Sequence, residues 1–328
     1  MDVILANKNG EQIRCLVNPD FDAQINGSND KDFSLAIQSA EWREDFAFGA
    51  RLFVQDTEIG GIIGEIYSDT ELDRICVQGR TWRGMLSDKV IIPPTNADYA
   101  TASGTVNSIL KSLIEPAFGG LLAVPVTDGP TISNWQFDRY CTLYDGIVKM
   151  LKSVNYRLRI RYNVGIPNSH GWVDVYAVPV VDYSEELELS QDSQINFIFD
   201  DVRNGVNHLV AGGKGNLSER HVIHLYADAN GNISQTQTFT GADEVVAFYE
   251  NTSSDDTELE KSARDQLEKL KSHKEFTLDA EGLDIDIEVG DIVGTRDYIT
   301  GLTASAPVGN IVYTISKGTL TKQYTLEG

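Results

Sequence analysis

The chain is poor in cysteine, has no long apolar run and is short of positive charge. Its three cysteines, Cys15, Cys76 and Cys141, are odd in number and far apart, so they supply neither a disulfide framework nor a two-cysteine metal knuckle. The opening MDVILANKNG has no basic start followed by a long apolar stretch, which a secretory leader requires. A reduced protein made in the cytoplasm is therefore expected. No apolar run approaches the roughly 18 residues that a spanning helix needs, and no membrane insertion is expected. Against 49 acidic residues stand only 27 lysines and arginines, a formal charge of −22. That balance argues against a protein that grips nucleic acid, because phosphate contacts need clustered Lys and Arg. Two readings of the acidity stay open: solubility, or the lining of a conduit through which DNA slides without sticking.

What is present is mostly strand signal. At 328 residues the chain suits two or three domains with cores of their own. In residues 1–73, the segments Asp2 to Leu5, Gln12 to Val17, Phe33 to Ile37, Phe48 to Val54 and Gly61 to Tyr67 are separated by turns such as Lys8-Asn9-Gly10. Short strands at this spacing indicate an antiparallel barrel or sandwich with edges open to pairing. The stretch 74–94, RICVQGRTWRGMLSDKVIIPP, alternates as a strand, is expected to break at Gly79, makes a short helical turn with Trp82, Met85 and Leu86, and stops at Pro93-Pro94. A first module, 1–94, ends there.

Residues 95–190 change character. Val106, Ile109, Leu110, Leu113 and Ile114 form a helical stripe, expected to end at Pro116 and Gly119-Gly120; a second helix is expected over Leu143 to Ser153. Tyr156, Leu158, Ile160 and Tyr162 then alternate with Arg157, Arg159 and Arg161, a strand with a cationic stripe. The return strand Trp172 to Val178 carries Asp174, a possible partner for one arginine. A helix followed by a hairpin makes a small α/β insertion. The arginine stripe reads either as an anion site or contact with an acidic neighbour, or as a solvated or internally paired face. Residues 191–328 return to β, with turns at Gly212 to Gly215, Asn230-Gly231, Gly290-Asp291 and Lys317-Gly318, and one helix near 257–271 whose Thr257 and Glu260 suit a capping box. The fold class expected is mainly β with an α/β insertion: two tube-like antiparallel β-barrels plus a small helix-hairpin domain.

The motifs that would carry catalysis fail on spacing. Gly213-Lys214 invites a phosphate-loop reading, but the earlier glycine would fall at His208, and Gly215 stands where Ser or Thr should meet magnesium. His221 and His224 are expected on opposite faces of a strand, which rules out their joint ligation of one metal. Ser218 has no nucleophile elbow. The loop Asp228 to Asn232 lacks the glycine position and closing Glu of a calcium loop. The acidic pairs Asp200-Asp201 and Asp284 with Asp286 serve glycoside hydrolysis only across a cleft. No enzymatic activity, cofactor or metal is expected.

Stretch 74–94, followed in order by the helix and hairpin, INFIFDD, VNHLVAGGKG, SERHVIHLYAD and EVGDIVGTRD, resembles the hub proteins of long-tailed phages, a family related to the contractile-phage baseplate hub. Two departures are the charged pair Asp88-Lys89 and the lack of a long extension after the last strand. The resemblance implies a structural protein of the virion, at the tail tip or baseplate: a homotrimer whose six tube-like modules match the sixfold tube and present threefold symmetry below. Its implied partners are a distal tail protein or the tail tube, the tape-measure protein, and spike, fibre or receptor-binding proteins, with DNA passing during ejection without specific binding. Candidate interface residues are Arg157, Arg159 and Arg161, with Arg80 and Trp82 at the end of the first module. The alternatives are a carbohydrate-binding or carbohydrate-hydrolysing β-sandwich, for which Trp135, Tyr140, Tyr144 and Trp172 supply aromatics, and a distal tail protein.

Overall fold

The computed structural model describes residues 2–26, 31–164, 170–184, 188–189, 196–215, 217–252, 256–279, 286–296, 299–301 and 303–327. Its contacts divide into two compact units, Met1–Phe197 with Thr277–Glu327, and Ile198–Phe276. Segments 1–94 and 95–190 both lie in the first unit. The segment 191–328 is divided between the two.

The first unit is built on a long antiparallel sheet. From one edge its strands run Gln12–Leu16, Val3–Ala6, Arg51–Phe53, Gly60–Asp69, Arg74–Thr81, Phe33–Gln38, Asp20–Gln24, Thr303–Ser316 and Thr319–Leu326. Period-two patterning gives the strands their buried face: Phe21, Ala23, Phe33 and Leu35 are buried, while Asp20 and Asp22 face water. Phe21 to Gln24 pair with Val312 to Ile315, so strands from the two ends of the chain share one sheet. The architecture is mainly β with several antiparallel sheets, and no barrel closes among the described residues. The strand expected to break at Gly79 continues to Thr81. A Cβ at Gly79 would collide with the Ile62 carbonyl; the glycine permits close strand approach rather than ending the strand.

An α/β layer completes this unit. Helix α1 (Gly84–Ser87) is a single turn, followed by α2 (Val106–Phe118) and α3 (Leu143–Lys152). Thr105 and Thr142 cap α2 and α3 by accepting from the backbone N–H of Ser108 and Asp145 at 3.3 and 3.0 Å. α2 ends as expected: Pro116 sits in the last turn, and the stop comes at Gly119, which takes the left-handed conformation at φ 56°. The strands Tyr156–Asn163 and Trp172–Pro179 pair antiparallel, and Leu122–Ala123 adds in parallel. Ile109, Leu110, Ile147, Met150, Leu158, Ile160 and Val175 pack into one core that reaches Ala6, Phe53 and Trp82 of the first module.

In the second unit, four strands lie in the order Ile233–Ser234, Val222–Ala227, His208–Gly212, Val246–Glu250. Asn230-Gly231 makes the expected turn, with the Asp228 carboxylate accepting from the N–H groups of Asn230 and Asn232 at 2.8 and 2.9 Å. Helix α4 (Asp256–Leu270) covers one face, where Leu259, Ala263 and Leu267 meet Leu209, Ala211, Leu225 and Ala227. The expected cap at Thr257 and the acid Asp284 lie outside the described side chains.

Candidate functional site

The strand Tyr156–Asn163 presents its arginines to the turn Val289-Gly290-Asp291. Arg157 donates from Nε to Asp291 Oδ1 at 2.6 Å and from Nη1 to Glu288. Arg159 donates from Nε to Glu288 Oε2 at 2.8 Å, and Arg161 from Nη2 to Glu288 Oε1. One glutamate thus gathers three guanidinium groups. Asp291 is held in turn by the N–H groups of Val181 and Glu288, at 2.9 and 3.0 Å. Gly290 makes the turn possible: at φ +95° a Cβ there would stand 2.8 Å from the Arg157 Cβ. Burial pushes the Asp291 carboxyl above its ordinary range, with the Val181 N–H and Arg157 opposing it. Burial likewise lowers the Arg157 guanidinium, and Asp291 acts the other way.

Arg157 is buried, while the side chains of Arg159 and Arg161 keep 31% and 23% exposure. Asp174, opposite Arg161 in register, pairs with no arginine of the stripe; it accepts from Asn163 Nδ2 at 2.6 Å and Trp172 Nε1 at 2.9 Å. Glu288 occupies the arginine face in its place. Arg80 donates to Asp32 Oδ1 at 3.1 Å and to the Gly84 carbonyl at 2.6 Å, and lies 3.2 Å from Asp88. Trp82 is fully buried, its ring 5.3 Å from that of Tyr162, which stacks on Phe53 at 3.8 Å.

A buried pair escaped the sequence reading. Arg83 donates to Glu58 through Nε at 2.5 Å and Nη2 at 2.8 Å, and Nη2 also reaches the Leu158 carbonyl at 3.3 Å. Burial works against the Arg83 charge and is the largest single effect, but the Glu58 carboxylate and Tyr144 together outweigh it and hold the guanidinium above its ordinary value. No spacing signal marks two residues 25 apart on different segments.

The edge strand Gln12–Leu16 pairs only with Val3–Ala6 among the described residues. Ile13 and the following Val17 are exposed there. A groove of about 660 Å³ runs beside it, lined by Leu16, Leu35, Phe46, Arg14, Arg43 and Arg74. Of the four aromatics named for a sugar site, Tyr140 alone is exposed, and Trp135 and Tyr144 pack against the core. Among the described residues no three His, Cys, Asp or Glu side chains are grouped to hold a metal, and no helix is long and apolar enough to cross a membrane.

The fold is one already seen in phage tails. Over its whole length the chain is similar to the tail protein from Neisseria meningitidis MC58, with 15% identity, 97% of that chain covered and a TM-score of 0.52. It is similar in the same way to the 43 kDa tail protein of prophage MuSo2 from Shewanella oneidensis, with 12% identity, 98% coverage and a TM-score of 0.56. No family model and no curated protein matches the sequence.

Proposed function

We propose that the chain is a structural hub of a phage tail tip or baseplate, a homotrimer that surrounds the DNA channel. The observation that carries this is the two-way coverage: essentially all of this chain aligns with essentially all of two tail proteins, so no large part is left over for a separate activity. In this reading the modules at 1–94 and 191–328 act as the two tube-like elements of each subunit, and 95–190 as the insertion between them. The edge Gln12–Leu16, which has one partner strand among the described residues, supports ring formation, because an unpaired strand edge is a template for a neighbour's backbone. The part of the stripe left to solvent, Arg159 and Arg161, is the contact for an acidic neighbour such as the tube, distal tail or tape-measure protein. The protein is not an enzyme, and its acidic surplus keeps DNA from adhering as it passes.

The test is the absolute mass in solution by light scattering over a range of concentration and salt. A mass of about three times 36.2 kDa is the expected result, with Ile13→Lys lowering it by charging the edge. A hexamer would replace the hub with a distal tail or tube component. A monomer at every concentration, with no ring after mixing with tube protein, would overturn the trimer.

A further inference from the structure

The sheet of the second unit has one face covered by α4 and one without it. On the α4-free face, side chains from neighbouring strands place two imidazoles in direct contact. His208 Nε2 lies 2.8 Å from His224 Nδ1, and the other nitrogen of His208, Nδ1, lies 2.6 Å from Glu244 Oε1. The contact is diagonal, because His208 stands opposite Tyr226, and His224 opposite Val210. His208 also stacks on Tyr226 with ring centroids 4.4 Å apart.

Glu244 is held in place independently of the histidines. Asn207 donates to the Asp243 carbonyl at 2.8 Å and accepts from the Val245 N–H at 2.9 Å, clamping the chain on both sides of Glu244. Gln237 Nε2 donates to the same Glu244 oxygen at 2.9 Å. A carboxylate at Nδ1 requires the proton there, which leaves the Nε2 lone pair of His208 pointing outward at His224. This is the arrangement of a metal-binding histidine with its outer carboxylate, which fixes the tautomer and the orientation of the ring.

We propose that His208 Nε2 and His224 Nδ1 bind a divalent transition-metal ion of the zinc, nickel or copper class, with Glu244 as the outer partner of His208. Two metal–nitrogen bonds at a tetrahedral angle set the nitrogens about 3.3 Å apart. The pair at 2.8 Å needs to open by only about 0.5 Å to reach that spacing. His224 is exposed and has room to make the turn. In the metal-free state His224 donates its Nδ1 proton to His208; with metal bound, neutral His224 carries that proton on Nε2 and presents the Nδ1 lone pair. No net proton is released in the exchange. Since no third His, Cys, Asp or Glu is grouped here among the described residues, water completes the coordination. Imidazole donors select this metal class over magnesium and calcium, which prefer oxygen.

The experiment is a calorimetric titration of the full chain with zinc chloride in chelator-free buffer, followed by NMR of imidazole nitrogens in the unaltered protein. One zinc per chain is expected, with a shift of His208 Nε2 and, because its proton moves, of both nitrogens of His224. His208→Ala and His224→Ala each abolish the isotherm, Glu244→Gln weakens it roughly tenfold, and His273→Ala leaves it unchanged. Circular dichroism checks that each variant folds. Absence of zinc binding, a stoichiometric site that survives His208→Ala with His224→Ala, or nitrogen shifts confined to other histidines would overturn the proposal. Magnesium competing as well as zinc would also overturn it.

Discussion

Arg83 and Glu58 give the sharpest test of how the first unit is held together. Both side chains are almost wholly buried, at 1% and 9% exposure, and meet through two parallel hydrogen bonds. Two charges withdrawn from water are stabilised mainly by each other, so removing one leaves the other stranded. Loss of a single partner from a buried pair costs about 3–5 kcal/mol, whereas replacing both with apolar groups of similar volume is often neutral or better. Glu58→Gln and Arg83→Met are therefore each expected to lose about 3–5 kcal/mol. At the 2–4 °C per kcal/mol usual for a unit of this size, the midpoint falls by about 6–20 °C. The double variant Glu58→Leu with Arg83→Met should recover most of that loss. Its residual deficit reflects the Arg83 bond to the Leu158 carbonyl and the Tyr144 ring 5.9 Å from the guanidinium. Guanidinium-chloride unfolding followed by tryptophan fluorescence reads all three, with Trp82 reporting from beside the pair. Single variants losing less than about 1 kcal/mol, or a double variant as unstable as the two singles combined, would refute the reasoning.

Gly290→Ala is expected to cost about 1–3 kcal/mol, because φ is +95° and the new Cβ would press on the Arg157 side chain; chemical denaturation measures it. Gly231→Ala should cost less, as its nearest neighbour is the flexible end of Lys271 at 3.2 Å. Tyr324 gives a pH dependence. Burial, then Asp286, pushes its phenol from 10 up to about 12, and two pH units correspond to about 2–3 kcal/mol. Since the folded value is raised, the stabilisation is complete below pH 10 and disappears as pH rises through about 12. Tyr324→Phe should flatten stability against pH in that window, and an unchanged slope would remove Tyr324 as its source.

Local conformation was legible in the sequence, and long-range partnership was not. The alternation from Tyr156 to Tyr162 declared a strand, and Asn230-Gly231 and Lys317-Gly318 declared turns, because the positive φ at Gly231, Lys317 and Gly318 is a local demand on residue type. The break expected at Gly79 is absent, and Pro116 stops α2 only together with Gly119. Each is a breaker by propensity, but close strand approach at one and a last-turn position at the other are settled by surroundings. The pairing of Phe21 to Gln24 with Val312 to Ile315 left no mark, since a half-buried strand has the same pattern whichever partner it finds. The arginine stripe was visible, while its partner Glu288 was one acid among 49. The expectation that His221 and His224 face apart addressed the wrong pair; the neighbour of His224 is His208, on another strand.

In a chain with nearly twice as many acids as bases, the scarce component of any ion pair is the cation, and the buried arginines stand where segments of the first unit meet. Arg51 donates to the carbonyls of Gly171 at 2.6 Å and Lys8 at 3.0 Å, joining the N-terminal strands to the start of the strand Trp172–Pro179. Arg83 joins Glu58 to Leu158. Arg157 joins the same α/β layer to Glu288 and Asp291 of the C-terminal segment. Each tie uses what a guanidinium has and an ammonium lacks: a planar fork of five donors that keeps its charge when buried and serves two acceptors at once. Apolar packing brings these segments together without fixing their register, whereas a bidentate contact fixes direction as well as distance. The three ties therefore add directional contacts between sequence-distant segments that also share a sheet and a core.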